Sequence, residues 1–410
     1  MSPLRQRPLA TLFKCTCATV LALTLAGSVS SMNEQVLQAS LVHPLPSPEK
    51  LLVNSIMEIS HNNLNAAMHE IDNALKTYPN FRLLHLIKGD LLLARARPLS
   101  TIGDAPNAPQ RRVTELREEA IARLQRHRYA LPLDRLPKYL LQMQPQQQYA
   151  VVVDISLSTL YLYQNVDGEP RYVADYYISS GKNGAEKLKE GDQRTPLGVY
   201  FVTANLPKAQ LSDFYGAGAY PISYPNEWDR RHGRYGHGIW LHGTPSDTYS
   251  RPPRSSNGCV VLTNQDLQVL SKNLQIGLTP VIISEHVDWV DAETWRAQRN
   301  TLAQEVEAWR RDWESRDLEA YLRHYAKNFF TKNQNFKQWA RQKQQVNVSK
   351  SWIKVGVSDV SMFLYPGYGN LAVVEFEQNY SSNNLSDKMK KRQYWIKENN
   401  RWQIAYEGAA

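Results

Sequence analysis

Cys259 is the residue whose type and sequence neighbours best suit a catalytic role. It ends the run Ser-Asn-Gly-Cys, and the chain has only two other cysteines, Cys15 and Cys17. Both lie in an N-terminal stretch typical of an export signal, so the exported protein would keep one thiol. A lone cysteine in an exported protein is either a small buried hydrophobic residue or a nucleophile. A nucleophilic thiolate needs a nearby base or a field that lowers its pKa.

His242 is the candidate base, because it follows a strand-like run, 239–241, upstream of the cysteine. The segment between them is rich in Gly, Pro and Ser, which would let the chain double back and bring the imidazole to the thiol. Gly258 would allow a tight turn, and the backbone amides around Gly258 and Cys259 would form an oxyanion hole. Ser256 could brace this turn.

Two further residues are candidates for the pocket. His237, with His242 and Cys259, could in principle bind zinc, but no fourth ligand suggests itself, so the sequence predicts neither a metal site nor a cofactor. We expect His237 to shape the pocket or to be exposed. Tyr224 belongs to a stretch of tyrosines and arginines, 215–231, that could line a groove for an anionic peptide. Packing explains these aromatic residues equally well.

Alternation of apolar and polar residues predicts the strands that must position this site. They are expected at 150–154, 159–163, 172–179, 198–203, 239–241 and 281–284. Because no strand–helix–strand repetition occurs, the sheet should be mixed or antiparallel.

Helical spacing predicts an N-terminal α-helical unit with helices at 51–78 (broken at 62–63), 81–97 and 113–128. The first helices resemble one tetratricopeptide-like unit; a helical cap without a binding role is an equal alternative. A polar linker, 142–148, is expected to mark the boundary with the β-rich region.

The C-terminal part predicts two helices broken near Ser315, followed by strands at 353–360, 371–380, 391–397 and 402–406. Helices followed by a curved antiparallel sheet resemble the cone of the nuclear-transport-factor-2-like (NTF2-like) fold over about 302–408. That fold hosts both enzymes and binding modules.

The N-terminus and the composition bear on location. Residues 1–31 have a positive start, an apolar run too short to span a bilayer easily, and a small-residue end, which predicts a signal peptide. An uncleaved anchor is the alternative, and no later segment predicts a membrane span. The net charge of +9 suits an anionic cell-envelope surface. No concentrated basic run predicts nucleic-acid binding, and nothing indicates the oligomeric state.

The chain resembles the L,D-transpeptidase (YkuD) catalytic domain over about 148–285. The ordered motifs are Val151-Val-Val-Asp154, Ser180-Gly-Lys182, Arg194-Thr-Pro-Leu-Gly198, Leu241-His-Gly243 and Ser256-Asn-Gly-Cys259. The resemblance implies that Cys259 is the nucleophile, that His242 is the base, and that the Gly243 carbonyl orients the imidazole. The insert 182–194 resembles a branch with periplasmic murein L,D-endopeptidases and the L,D-carboxypeptidases of helical bacteria. Those carboxypeptidases also carry an NTF2-like C-terminal domain.

Two residues depart from the family pattern. Val261 stands where many transpeptidases have an arginine, and Asn257 stands where histidine is common. Losing the arginine removes a contact to a substrate carboxylate or to a structural carbonyl. The departure bears on the acyl acceptor more than on formation of the acyl-enzyme.

We therefore expect a multidomain α+β protein of the periplasm or cell envelope. Its predicted parts are a signal peptide (1–31), a helical domain (32–147), a mostly-β catalytic domain (148–285) and an NTF2-like cone (286–410). The predicted catalytic residues are Cys259, His242, Gly243 and Gly258, and the predicted substrate-binding residues are Ser256, Asn257, His237 and Tyr224. The predicted activity is L,D-transpeptidation of peptidoglycan stem peptides. The alternatives are an L,D-carboxypeptidase or endopeptidase that uses water, and a non-catalytic wall-binding scaffold.

Overall fold

A computed structural model describes residues 48–105, 107–129 and 134–410. Residues Leu51–Ala410 form one compact unit. The predicted signal peptide, 1–31, lies outside the described residues. Within the described part, no helix combines the length and the apolar character that crossing a membrane requires.

Four helices open the described chain: α1 (Pro48–Ser60), α2 (Leu64–Thr77), α3 (Arg82–Leu93) and α4 (Gln110–Arg128). The break between α1 and α2 falls at Asn62, which has a left-handed φ of 62°. Apolar residues of the helices pack in one cluster that includes Ile71 and Leu84, and Tyr249 from the β-rich region completes this cluster. The helical unit is thus joined to the β-rich region through a shared core.

The β-rich region contains short strands arranged in several small sheets. The strands in the first half of the chain are β1 (Leu136–Pro137), β2 (Leu140–Gln142), β3 (Tyr149–Asp154), β4 (Thr159–Val166), β5 (Glu169–Tyr177), β6 (Ser180–Gly181), β7 (Gly198–Phe201) and β8 (Leu206–Pro207). The following strands are β9 (Gly218–Pro221), β10 (Trp240–His242), β11 (Arg254–Ser256), β12 (Val260–Val261), β13 (Pro280–Ser284) and β14 (Trp289–Val290). The helices among them are α5 (Glu227–Arg231) and α6 (Asn264–Ser271), with 3-10 turns at Lys208–Gln210 and Asp213–Tyr215.

Two of these sheets build the catalytic region. A five-stranded sheet has the order β5-β4-β3-β13-β7 and is mixed, because β13 runs parallel to β3 and antiparallel to β7. A four-stranded sheet has the order β12-β10-β9-β8. A shared apolar cluster that includes Val153, Leu241 and Val260 lies between them and fixes one sheet against the other.

The C-terminal part contains helices packed on a long antiparallel sheet. Its elements are α7 (Ala292–Ser315), α8 (Leu318–Leu322), β15 (Tyr325–Phe330), α9 (Phe336–Val348), β16 (Ile353–Leu364), β17 (Leu371–Ser382), β18 (Leu385–Glu398) and β19 (Arg401–Ala409). The sheet order is β15-β19-β18-β17-β16-β2. Helix α7 ends where Arg316 adopts a left-handed φ of 65°, as the break predicted near Ser315 requires.

The structure confirms the mixed α+β architecture and the mixed sheet, and it differs from the sequence prediction in several short elements and in the C-terminal part. Residues 136–142, which were assigned to the helical domain, form β1 and β2, and β2 joins the C-terminal sheet beside β16. Helix α9 and strand β15 were not predicted. Strands β1 and β2 escaped prediction because strands of two or three residues carry no periodicity, and α9 escaped it because it has no fully buried residue to mark an apolar stripe.

Candidate active site

Parallel pairing of β10 and β12 brings His242 and Cys259 together. His242 is the last residue of β10 and pairs with Val261, and Cys259 immediately precedes β12. Cys259 and Val261 are two residues apart, so the pairing brings the segments that carry the thiol and the imidazole next to each other.

The imidazole of His242 is buried and fixed in one tautomer. Its Nδ1 lies 2.7 Å from the carbonyl oxygen of Gly243, and only 1% of the residue is exposed. Because a carbonyl can only accept, Nδ1 carries the proton and Nε2 is left as the free base. Burial lowers the pKa of His242 to about 4, against the hydrogen bond to Gly243, so the ring is neutral near pH 7.

Cys259 is a partly exposed free thiol whose Sγ donates a hydrogen bond to the carbonyl oxygen of Gly238 at 3.3 Å. Burial raises its pKa, while a backbone hydrogen bond from Trp240 and the positive charges of Arg251 and Lys187 act in the opposite direction. The thiol of Cys259 and the imidazole of His242 are therefore both neutral near pH 7, the protonation states that a general-base mechanism would require.

Ser256 holds the turn that presents the cysteine. Its buried hydroxyl donates to the carbonyl oxygen of Cys259 at 2.6 Å and accepts from the amide of Gly258 at 3.1 Å. Thr195 adds a hydrogen bond from its hydroxyl to the carbonyl oxygen of Gly258 at 3.1 Å. Gly258 has a φ of 123°, and a Cβ there would lie 2.7 Å from the carbonyl oxygen of Arg194, so only glycine fits.

These contacts correct one part of the expected oxyanion hole. The amide of Gly258 is engaged by the Ser256 hydroxyl, so it stabilises the turn and does not face the site. A backbone amide within a Ser-x-Gly-Cys turn can bond either to the side chain that braces the turn or to the substrate, and sequence alone does not distinguish them.

The other predicted residues lie around the site in different ways. His237 is exposed and its Nδ1 lies 3.3 Å from a carboxylate oxygen of Glu190, and Asn257 is exposed. Tyr224 is buried, packs edge-on against Tyr200 and donates to a backbone carbonyl oxygen, which favours the packing role over a groove lining. No group of three His, Cys, Asp or Glu side chains in the described part of the chain is arranged to hold a metal ion.

Sequence reasoning missed two side chains beside the dyad. The ring centroid of Phe214 lies 5.9 Å from that of His242. The guanidinium of Arg251 stacks on the ring of Phe214, 4.6 Å from its centroid. Phe214 comes from the 3-10 turn before β9, and Arg251 from the loop between His242 and Cys259. The doublet of prolines after Arg251 was the available signal, because it predicts a fixed backbone there.

The helical unit holds the loop between His242 and Cys259. Asn80 donates to the carbonyl oxygen of Ser246 at 3.1 Å, and the hydroxyl of Ser250 donates to Glu119 at 2.6 Å. Glu119 is buried and accepts from the guanidinium of Arg123 at 2.8 and 3.0 Å. Arg123 in turn stacks on Tyr177, a residue of β5, with 3.9 Å to the ring centroid. The helices therefore position the loop that follows His242.

Comparison with known proteins identifies the two larger regions. Residues 148–283 match the YkuD family, the L,D-transpeptidase catalytic domain, and residues 301–408 match the Cds6 C-terminal NTF2-like domain. The solved structure of Bdellovibrio bacteriovorus Bd1075 is 30% identical over 68% of this chain and 98% of that chain, with a TM-score of 0.60. The helical cell shape determining protein Pgp2 from Campylobacter jejuni is 25% identical over 66% and 95%, with a TM-score of 0.57. No curated protein matches the chain significantly.

The fold and the site define a class of multidomain enzymes whose β-rich catalytic domain carries a cysteine and a histidine. The chain belongs to the YkuD L,D-transpeptidase family and carries a Cds6-type NTF2-like domain at its C-terminus. It is therefore an enzyme of a family that acts on peptidoglycan.

Proposed function

We propose that this protein is a periplasmic, cysteine-dependent L,D-transpeptidase that acts on peptidoglycan tetrapeptide stems during cell-wall remodelling. The observation that carries the proposal is the parallel pairing of β10, which ends at the buried His242, with β12, which follows the free thiol of Cys259. The signal peptide predicted at 1–31 supports the periplasmic location.

The first step forms a thioester. Nε2 of His242 takes the proton of Cys259 as Sγ attacks the carbonyl carbon of the third, diamino-acid residue of the stem. The tetrahedral oxyanion would be stabilised by the amide of Cys259, the remaining donor of the pair that the sequence proposed. The C–N bond to the fourth residue then breaks, and the imidazolium returns its proton to the departing amine of D-alanine.

The second step resolves the thioester. An amine of a neighbouring stem would give a 3-3 cross-link and restore the thiol, whereas a free D-amino acid would give an exchanged stem. In either case His242 accepts the amine proton and returns it to Sγ as the C–S bond breaks.

Hydrolysis of the same thioester is the second candidate function. It is favoured by Val261, which is buried in β12 with 2% exposure at the position where many cross-linking relatives have an arginine. Without that cation, an acceptor stem would have one contact fewer, and water would compete better. The product would then be a tripeptide stem, with consequences for cell shape.

The helical unit is proposed to support the catalytic loop, through the contacts of Asn80 and Glu119 with residues 246–250. Its likeness to a tetratricopeptide unit stays a prediction. A supporting role needs no ligand on the helices, so it holds under either acceptor chemistry.

Digestion of purified sacculi with the wild-type protein and with Cys259→Ala tests the function. New 3-3 dimers with the wild type alone would support transpeptidation, and tripeptides alone would identify a carboxypeptidase. If the muropeptides change with neither protein, the proposal fails. Covalent labelling of Cys259 by a carbapenem, read by intact mass, separates a catalytic thiol from the inert thiol of a wall-binding scaffold.

A further inference from the structure

One arginine of the loop between the two catalytic side chains faces the reacting groups. The guanidinium of Arg251 lies on the ring of Phe214, 4.6 Å from its centroid, and this ring also contacts His242. Burial sets the main pKa shifts of His242 and Cys259, and the positive charge of Arg251 lowers the pKa of both. The cation therefore lies within electrostatic reach of both catalytic groups.

The backbone on each side of Arg251 is fixed before any substrate arrives. The hydroxyl of Tyr177 donates to the Arg251 carbonyl oxygen at 3.0 Å, and Ser250 is tied to Glu119 at 2.6 Å. The preceding residue, Tyr249, is buried in the apolar cluster of the helical unit. The side chain is thus presented from a rigid loop, so that binding an anion would order little more of the protein.

This guanidinium has no carboxylate to balance it within the part of the chain that the structure describes. Burial lowers the pKa of Arg251, and the one group acting against that burial is Cys259, when its thiol is ionised. An arginine presents a planar fork of donors that fits a carboxylate in two hydrogen bonds. A partly buried and unbalanced arginine beside a nucleophile is therefore suited to an anionic group of the substrate.

We propose that Arg251 binds the terminal carboxylate of the D-alanine residue that leaves when Cys259 is acylated. This inference rests on the function proposed above. The carboxylate carbon of the leaving residue is about 3–4 Å from the scissile carbonyl carbon, because only two backbone atoms separate them. The other carboxylates of the stem are farther along the chain or at the end of a side chain. A cation close to the nucleophile thus selects the terminal carboxylate.

The assignment has a consequence for specificity. A stem that ends at the fourth residue offers a carboxylate, whereas a longer stem offers a neutral amide at the same position. Arg251 would therefore restrict the enzyme to stems that end in a free fourth residue, whichever acceptor resolves the thioester. It would also provide, from a loop, the positive charge that many relatives have in β12 at the position of Val261.

The test compares two donors that differ in one charge. The probes are the tetrapeptide L-Ala-γ-D-Glu-meso-diaminopimelyl-D-Ala and its C-terminal amide, with D-alanine or D-alanine amide release measured. The proteins are the wild type, Arg251→Gln, Arg251→Lys and the control Arg254→Gln, which alters an exposed arginine three residues further on. The wild type and the control should prefer the acid by about tenfold to a hundredfold in kcat/KM, the range of a charge-assisted hydrogen bond.

Arg251→Gln should lose that preference through a higher KM for the acid, so that the ratio of its kcat/KM values for acid and amide falls close to one. Arg251→Lys should recover part of the preference, because it keeps the charge without the fork. Equal wild-type rates on acid and amide, or a loss in Arg251→Gln that is the same for both donors, would overturn the inference while leaving the proposed function standing. Failure of the wild type on both donors would instead refute the proposed function and, with it, this inference.

Discussion

The protonation state of the catalytic pair leads to the most discriminating prediction. With its pKa near 4, the buried imidazole of His242 should remain the active base well below neutral pH. At pH 5.5, an imidazole with the ordinary pKa of 6.5 is neutral in about 9% of molecules, whereas one with a pKa of about 4 is neutral in about 97%. We therefore expect kcat/KM on the tetrapeptide to change less than twofold between pH 7.5 and pH 5.5.

Alkylation of Cys259 by iodoacetamide measures the other half of the pair. Burial raises the pKa of this thiol, so its rate of alkylation should rise by about tenfold for each pH unit between 5.5 and 8.5. Cys259→Ala is the blank, and the urea-unfolded protein gives the rate of an ordinary thiol. A preformed thiolate–imidazolium pair would instead react at a rate that hardly depends on pH in this range.

Two results would refute the reasoning. A tenfold drop in kcat/KM at pH 5.5 would show that the imidazole titrates as if it were in water, and burial would then not control its pKa. Alkylation that is flat down to pH 5.5 would show a charged resting pair, and His242 would not act as a general base.

Two further predictions concern stability and the turn. Gly258→Ala should abolish activity, because the backbone there has a φ of 123° and the added Cβ would meet the carbonyl oxygen of Arg194. Gly89→Ala in α3 meets nothing, and it should raise the free energy of unfolding by about 0.5–1 kcal/mol. Equal activity in both variants would contradict the assigned role of the turn. Glu119→Gln replaces a buried carboxyl group, whose pKa burial raises to about 8, by an amide that pairs less well with the Arg123 donors, and it should lower the free energy of unfolding by about 1–3 kcal/mol in urea denaturation. Glu118→Gln changes the exposed neighbour and should be nearly neutral, so similar losses in the two variants would argue against the buried pair.

Much of the architecture follows from local patterns in the sequence. Alternating residues predicted β3 and β13 to within one residue and the start of β4, and the apolar stripe of α4 predicted its C-terminal end at Arg128. These elements are readable because side-chain periodicity records which face is buried. The strands β1 and β2 were not readable, since so short a segment pairs only because another strand edge lies beside it.

The candidate site likewise has features that the sequence predicts and features that only the folded chain determines. Residue types and their order pointed to Cys259 and His242, because a nucleophile, a base and a glycine turn must occur close along the chain in this family. The neutral resting state of the pair and the engagement of the Gly258 amide depend on burial and on hydrogen-bond partners, which are properties of the folded chain.

Arg251 shows most clearly what only tertiary structure decides. In the sequence it is one arginine of many, in a loop with no periodicity. Its position beside the thiol depends on a loop that Glu119 and Tyr177 hold from two other elements, far away along the chain. Sequence therefore determined which residues are the candidates for the chemistry, because that information is local. The fold decided which charge surrounds them, because electrostatic interactions depend on distance in space and not on separation along the chain.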